Sequence, residues 1–459
     1  MIHPDALGHL EKAIALDPNH LAARLALADL YRQENLLDEA KDILSNAIAG
    51  ETDVPAAHFA LAEILIDEGQ EEQAIKHLLE ATSGDLADSA SRFRLAELLA
   101  AKGQIKAAAD QLENVISLDH LNGEAHFRLA TFLEHPDDFD RAKLLLEISI
   151  DLLPEDPRPC FHLAQLLDKG EKSDREGNIF RESDYTSAKQ RYEQTLRLSP
   201  SHGPANLRLG VMFEGEGNIR AAIDCYSKAA KVKGIAGDAH LCLARLALAE
   251  NDNVKVENFL TLAIREPEVK GQSLLERAEM FIEQGKTDAA QKDLMEALST
   301  FEKDEKQFRE DSDVAADNAN FIRARRRLEQ AENARRSQSP VLCHLAKIEV
   351  MGGANEKAIQ LLDKAVAKSP AFVPARYELA ILLDDSDRAN EAIRHYEAVV
   401  QAEWAHPRAH FRLGEIALAG KDLNKAEMHF LIVTDLEPSH AQANASLVQI
   451  AVSKFKNET

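Results

Sequence analysis

The chain has 459 residues, 45% of them apolar but only 5% aromatic, with 29% charged and a formal net charge of -24. A field of that sign repels phosphate backbones and anionic membrane surfaces, so neither nucleic acid nor a membrane is an expected partner. No run approaches the roughly 18 apolar residues of a membrane span, and the opening MIHPDALGHLEKA lacks the basic start and apolar stretch of a secretory signal, so a cytoplasmic location without membrane insertion is the expectation.

In chain order, residues 1–20 read as one helix, with Ala6, Leu10 and Ala13 on a helical stripe and Pro18 closing it. It resembles the second half of a unit whose first half is missing. From Leu21 a unit of 34 residues recurs, beginning at Leu21, Pro55, Ser89, Gly123, Pro157, Gly203, Gly237, Gly271, Glu305, Ser339, Val373 and Pro407. Ala6, Ala40, Ala74, Ala108 and Ala142 mark the period, and Ala188, Ala222, Val256, Ala290, Ala324, Ala358, Ala392 and Ala426 continue it after one step of 46, which is 34 plus a 12-residue insertion. A second series, including Ala28, Ala62, Ala96, Ala130, Ala164, Gly210, Ala244 and Ala278, keeps the same phase. A third series of prolines, Pro18, Pro154, Pro200, Pro370 and Pro438, ends units in step with both.

Each unit reads as two helices. In 55–88, Leu61, Ala62 and Leu65 make one stripe and Ala74, Leu78 and Ala81 another, with Gly69 between them as the turn. Small residues at the helix crossing let two backbones approach, and large apolar residues fill the flanks. One such pair cannot bury its apolar face alone, so neighbours must stack to complete a continuous core.

Organisation follows from this register: an orphan helix at 1–20, eight repeats over 21–304, a degenerate repeat at 305–338, three repeats over 339–440, and a closing helix with tail at 441–459. An insertion, KGEKSDREGNIFRESD, occupies 169–184 of the fifth repeat; its Ile179 and Phe180 are apolar among charges and are candidates to dock a partner or fold back. The degenerate repeat has Asp311 and Ser312 where Leu and Ala are usual. Its second helix carries Arg323, Arg325, Arg326 and Arg327, the start of the only dense basic stretch of the chain. That stretch pairs with acidic neighbours or docks an acidic partner.

With a small residue, then Tyr or Phe, then Ala, a large apolar residue and Ala, as in Ala28, Tyr31, Ala40, Leu44 and Ala47 or Gly210, Phe213, Ala222, Tyr226 and Ala229, the repeats resemble the tetratricopeptide family. The family's early Trp is absent; Arg24, His58, Arg92, His126 and Cys160 stand there. The resemblance implies an all-α, right-handed superhelical α-solenoid of helix-turn-helix repeats whose first helices line a concave groove. It implies a non-enzymatic scaffold or adaptor that binds a protein or peptide for complex assembly or regulation; the alternative is a constitutive subunit of a larger complex and the remote alternative an enzyme, with a homo-oligomer or a complex as the expected assembly.

On that first-helix face, Phe93, Phe127, Phe161 and Phe411 form an aromatic column, and Arg94, Arg128, His162, Arg208 and Arg412 lie beside it. Aromatic and Arg side chains are favoured interface anchors and Arg grips carboxylates with two bonds. These residues are therefore the candidate contacts for a peptide with acidic and apolar side chains. The aromatic column is equally suited to packing between hairpins, and Glu63, Glu97 and Glu415 are placed to neutralise the arginines. The family's carboxylate clamp is not expected, because Glu378 stands where its middle Asn would be. The four cysteines, Cys160, Cys225, Cys242 and Cys343, are scattered, and no HExxH, phosphate loop or nucleophile elbow occurs. No cofactor, metal or catalytic residue is assigned.

Overall fold

One residue in the left-handed region separates the two helices of most units. It is glycine at Gly69, Gly103, Gly217, Gly285 and Gly353, with φ of 72–78°, and Asn35, Asn251, Asp387 or Lys421 at the same register, with φ of 57–63°. This residue turns the chain back and fixes an antiparallel hairpin. The computed structural model describes residues 4–50, 54–83, 88–133, 135–173, 179–181, 184–317 and 321–458. The chain divides into two compact units, Met1–Lys228 and Ala229–Thr459.

In the first unit, the helix Pro4–Leu16 leads into successive pairs, from Leu21–Gln33 with Leu37–Gly50 to Gly203–Gly215 with Ile219–Ala229. One core cluster runs through it, built of the small residues and leucines of the repeat: Ala62 against Leu78, Ala96 against Leu112. The small residue opposite a tyrosine is alanine in the pairs Ala164–Tyr192 and Ala380–Tyr396, but one pair is closer. In the sixth repeat Tyr226 replaces leucine, and a Cβ on Gly210 would lie 2.5 Å from its ring, so glycine is required there. In the insertion, Gly170 closes the helix Pro157–Lys169 in the left-handed region. The backbone then forms a short antiparallel hairpin, Glu171–Ser173 with Ile179–Arg181, where the sequence suggested a plain loop. The side chains of Ile179 and Phe180 lie outside the described residues.

In the second unit the pairs continue from Ala236–Ala249 with Asn253–Ala263 to Pro407–Ala419 with Leu423–Leu436, and Ala441–Glu458 packs on the last pair. The closing helix buries Ala443 and Ile450 but exposes Val448 and Val452 on its other side.

The stretch around 305–338 departs from the pattern. Its residues are the outer parts of two 31-residue helices, Thr287–Asp317 and Phe321–Met351. The first extends the second helix of the eighth repeat. The second runs without a break into what would be the first helix of the tenth, taking Pro340 inside it. At the base of this long hairpin Gln338 donates to Glu305 at 2.7 Å and Lys368 lies 3.1 Å from the same carboxylate. Beyond the base the two helices hold each other: Ser312 donates to the Ala324 carbonyl at 2.9 Å, Arg309 meets Glu332 at 2.8 Å, and Ala315, Ala324, Ala331 and Ala334 fill the seam. At 1.5 Å per residue the hairpin reaches roughly 20 Å past its base.

Candidate functional site

The first helices of consecutive repeats lie close enough for side chains 31 residues apart to meet. In the first unit Arg94 binds Glu63 at 2.8 Å, and Arg128 approaches Glu97 at 3.8 Å; each joins the sixth residue of a repeat to the ninth of the one before. Arg94 also holds Glu97 of its own helix at 2.8 Å, and Arg128 holds Glu124 at 2.8 Å. Arg208 bonds Asp168 of the preceding repeat through Nε at 3.0 Å, and the Tyr192 hydroxyl lies 3.2 Å from the same carboxylate. These carboxylates hold the Arg94 and Arg208 guanidinium pKa values above the usual range, by hydrogen bonds outweighing the cost of burial. The arginines thus form a half-exposed ladder in which every cation is already oriented by an acid. In the second unit Arg412 repeats the arrangement, bonding Asp384 at 2.5 Å and Glu415 at 2.8 Å.

The aromatic column lies deeper than the arginines. Phe127 is 5% exposed, and Phe93 and Phe161 are half-buried against the core cluster. His162 sits between Phe127, 5.1 Å between ring centres, and Phe161, 5.9 Å, and burial pushes its pKa down. Phe161 packs on His202 at 4.5 Å, Tyr377 on His406 at 4.7 Å and Phe411 on His440 at 4.8 Å. Each of these histidines caps the next helix, Nδ1 accepting from the backbone N–H of Ala205, Ala409 or Ala443 at 3.1–3.2 Å. His20 caps its helix in the same way through Ala23. At Phe161, Tyr377 and Phe411 the column therefore seals a hairpin to the cap of its neighbour. Sequence reading passed over these caps and the acids at a spacing of 31; the recurrent Pro-x-His of Pro18–His20, Pro200–His202 and Pro438–His440 was the available signal.

Two rungs of the second unit have the charges reversed. Arg245 binds Glu276 at 2.6 Å and Lys347 approaches Glu378 at 3.9 Å, the cation now at the ninth position and the acid at the sixth. A cleft of about 290 Å³ opens there, lined by Arg245, Leu248, Glu276, Glu279, Met280 and Glu283.

The second candidate patch is split by the long hairpin. Arg327 turns into the seam, 3.0 Å from Gln330 and 3.7 Å from Asp311, with its guanidinium 5.6 Å from the Phe308 ring centre. Arg323, Arg325 and Arg326 are exposed.

Family models described as tetratricopeptide repeat match residues 3–49, 55–85, 180–230 and 377–441. No curated protein matches the sequence. Among solved structures, the C-terminal part of a TPR repeat-containing protein from Cytophaga hutchinsonii is 18% identical with a TM-score of 0.42, covering 53% of this chain and 95% of its own. Yeast Tom70 is 14% identical, with a TM-score of 0.33 over 88% of this chain and 96% of its own. The Cut9–Hcn1 structure of the APC/C is 12% identical, with a TM-score of 0.34 over 97% and 92%. At these identities and scores the likenesses carry nothing about what the chain binds.

Proposed function

Given that this chain belongs to the tetratricopeptide repeat family and is a protein-interaction scaffold in general terms, we propose that its first-helix face holds a partner protein or peptide bearing acidic and apolar side chains, in the assembly or regulation of a complex. The observation that carries this is the half-exposed ladder of Arg94, Arg128 and Arg208. Exposed ion pairs are worth only about 0–1 kcal/mol each. Glu97 is the most exposed of the acids that hold these arginines, so a partner carboxylate can displace it at small cost and meet a guanidinium already held in position. Pre-orientation of this kind lowers the entropy lost on binding.

The test is a peptide-display selection on the intact chain and on a variant with Arg94→Glu, Arg128→Glu and Arg208→Glu. Enrichment of Asp- and Glu-bearing apolar peptides by the wild type, lost in the variant while helicity is retained, is the expected result. Equal enrichment by both proteins removes the first-helix face as the site.

One observation favours a second reading, that of a constitutive subunit of a larger complex. Val448 and Val452 lie one turn apart on the outer side of the closing helix, 65% and 50% exposed. Clustered apolar exposure marks contact surfaces. A subunit of this kind co-purifies with its neighbours in fixed stoichiometry, whereas an adaptor is recovered alone.

A further inference from the structure

The long hairpin is a second tool, separate from the repeat face. Glu279 and His344 meet at 3.0 Å although 65 residues apart, at the same ninth and sixth positions that Glu63 and Arg94 occupy in adjacent repeats. Repeat stacking thus passes from the eighth repeat directly to the tenth, and residues 305–338 are left to project. What they present is unlike the rest of this acidic chain. On the returning helix Phe321, Arg325 and Leu328 fall on one face at i, i+4 and i+7. Phe321 is 71% exposed and Leu328 46%. Arg326 lies roughly 100° round the helix from Arg325 and Arg323 on the far side; both are exposed, and Glu329 is exposed between Arg325 and Arg326. Among the described residues Arg325 and Arg326 make no ion pair, in contrast to the arginines of the ladder and to Arg327 and Arg309 in the seam.

We propose that this projecting face docks an acidic amphipathic segment of another protein, a carboxylate on Arg325 and its apolar side chains on Phe321 and Leu328, with Arg326 adding positive charge from the adjoining surface. Charge complementarity selects that occupant. Unpaired guanidiniums beside apolar anchors match a short segment of mixed acidic and apolar residues. An extended polyanion carries many more charges than a short segment and is repelled more strongly by a body of net charge -24.

The test uses the full chain and a fluorescein-labelled 15-residue helical peptide of Glu and Leu, read by anisotropy. Controls are the same peptide with Lys for Glu, vesicles of anionic phospholipid, and a single-stranded oligonucleotide. The Glu/Leu peptide is expected to bind, any binding of the Lys peptide to be the same for wild type and variant, and Arg325→Glu with Arg326→Glu to weaken Glu/Leu binding at least about tenfold, the scale of losing a central anchor. Phe321→Ser should weaken it separately. All three sites are exposed, so helicity and melting stay unchanged. Arg94→Glu, Arg128→Glu and Arg208→Glu should leave this binding intact, which separates it from the repeat face. Equal binding by the Arg325/Arg326 variant overturns the proposal. So does tighter binding to vesicles or oligonucleotide than to the peptide, or concentration-dependent self-association that the variant abolishes.

Discussion

Glu279 and His344 touch at 3.0 Å across an interval of 65 residues, three short of two repeat lengths. The same positions in adjacent repeats, Glu63 and Arg94, are 31 apart, three short of one. The extra 34 residues therefore make no step in the stack. Pro340 occupies the second position of its unit, where Pro204 and Pro374 begin first helices, yet here it lies inside a helix.

Excising residues 305–338 joins Asp304 to Ser339 and returns Pro340 to a helix start, where its missing N–H costs nothing; in a helix interior it costs about 3 kcal/mol. The shortened chain is expected to fold with the same helicity per residue and a cooperative melt by circular dichroism. An unfolded or aggregated product contradicts the skip in stacking.

Gly210→Ala should destabilise by about 1–3 kcal/mol, the cost of forcing a methyl group into a filled crossing. The added Cβ lies 2.5 Å from the Tyr226 ring. In a Tyr226→Leu background, which imitates Ala96 over Leu112, the same change should cost markedly less. Denaturant melts of the four proteins measure the coupling, and additive losses would show that Tyr226 is not the obstruction.

Lys421 holds φ at 63°, where other repeats have glycine. The left-handed conformation costs a residue with a Cβ roughly 1–2 kcal/mol, and glycine recovers this less its own entropy. Lys421→Gly should therefore raise stability by about 0.5–1 kcal/mol in urea melts; a loss would contradict the assigned turn.

Acid sensitivity is built into the last repeat. His410 and His429 are 3% and 5% exposed and face each other at 3.0 Å between Nδ1 atoms. His410 Nε2 must donate to the Trp404 carbonyl at 3.1 Å, so its Nδ1 is bare and His429 donates to it. Both rings are then neutral. Burial pushes the His410 pKa down. Burial first, then His410 and Lys425, pushes that of His429 down to about 4, with Glu397 opposing. A folded value below the ordinary one of about 6.5 means that the unfolded chain takes up protons first. The contribution is complete above about pH 6.5 and is lost as pH falls from there toward 4. A double variant His410→Leu and His429→Leu imitates Leu342 and Leu361 at the same register. It should flatten the change of melting temperature across that window, and an unchanged slope would place the sensitivity elsewhere.

The fold was legible because packing writes itself into every repeat: Ala62 and Leu78 recur with their equivalents wherever two helices cross. The ladder was half legible. Glu97 and Glu415 were visible as partners of Arg94 and Arg412 within one helix, but Glu63 and Asp168 come from the preceding repeat, and a helical-face reading does not look across repeats. The long hairpin was hidden by its own phase, since Ala324 and Ala331 hold the register in a helix that no longer turns where the register says. What betrays it is the missing breaker: no glycine occurs between Gly285 and Gly352, and Pro340 is the only proline. Buried Phe127 shows the limit for the aromatic column, because a residue that seals a seam and one that grips a partner have the same periodicity.

The two reversed rungs, Arg245–Glu276 and Lys347–Glu378, have a consequence for how this chain avoids assembling wrongly. Repeats so alike could pair out of turn while the chain is folding, or between molecules. A hairpin ending in Glu97 that met one beginning at Glu276 would set two carboxylates together, and Arg245 against Arg128 would set two cations together. Like charges so placed oppose the mismatch, whereas each true neighbour meets its opposite. The ion pairs, worth little as glue, thereby disfavour the junctions in which rungs of opposite polarity would meet.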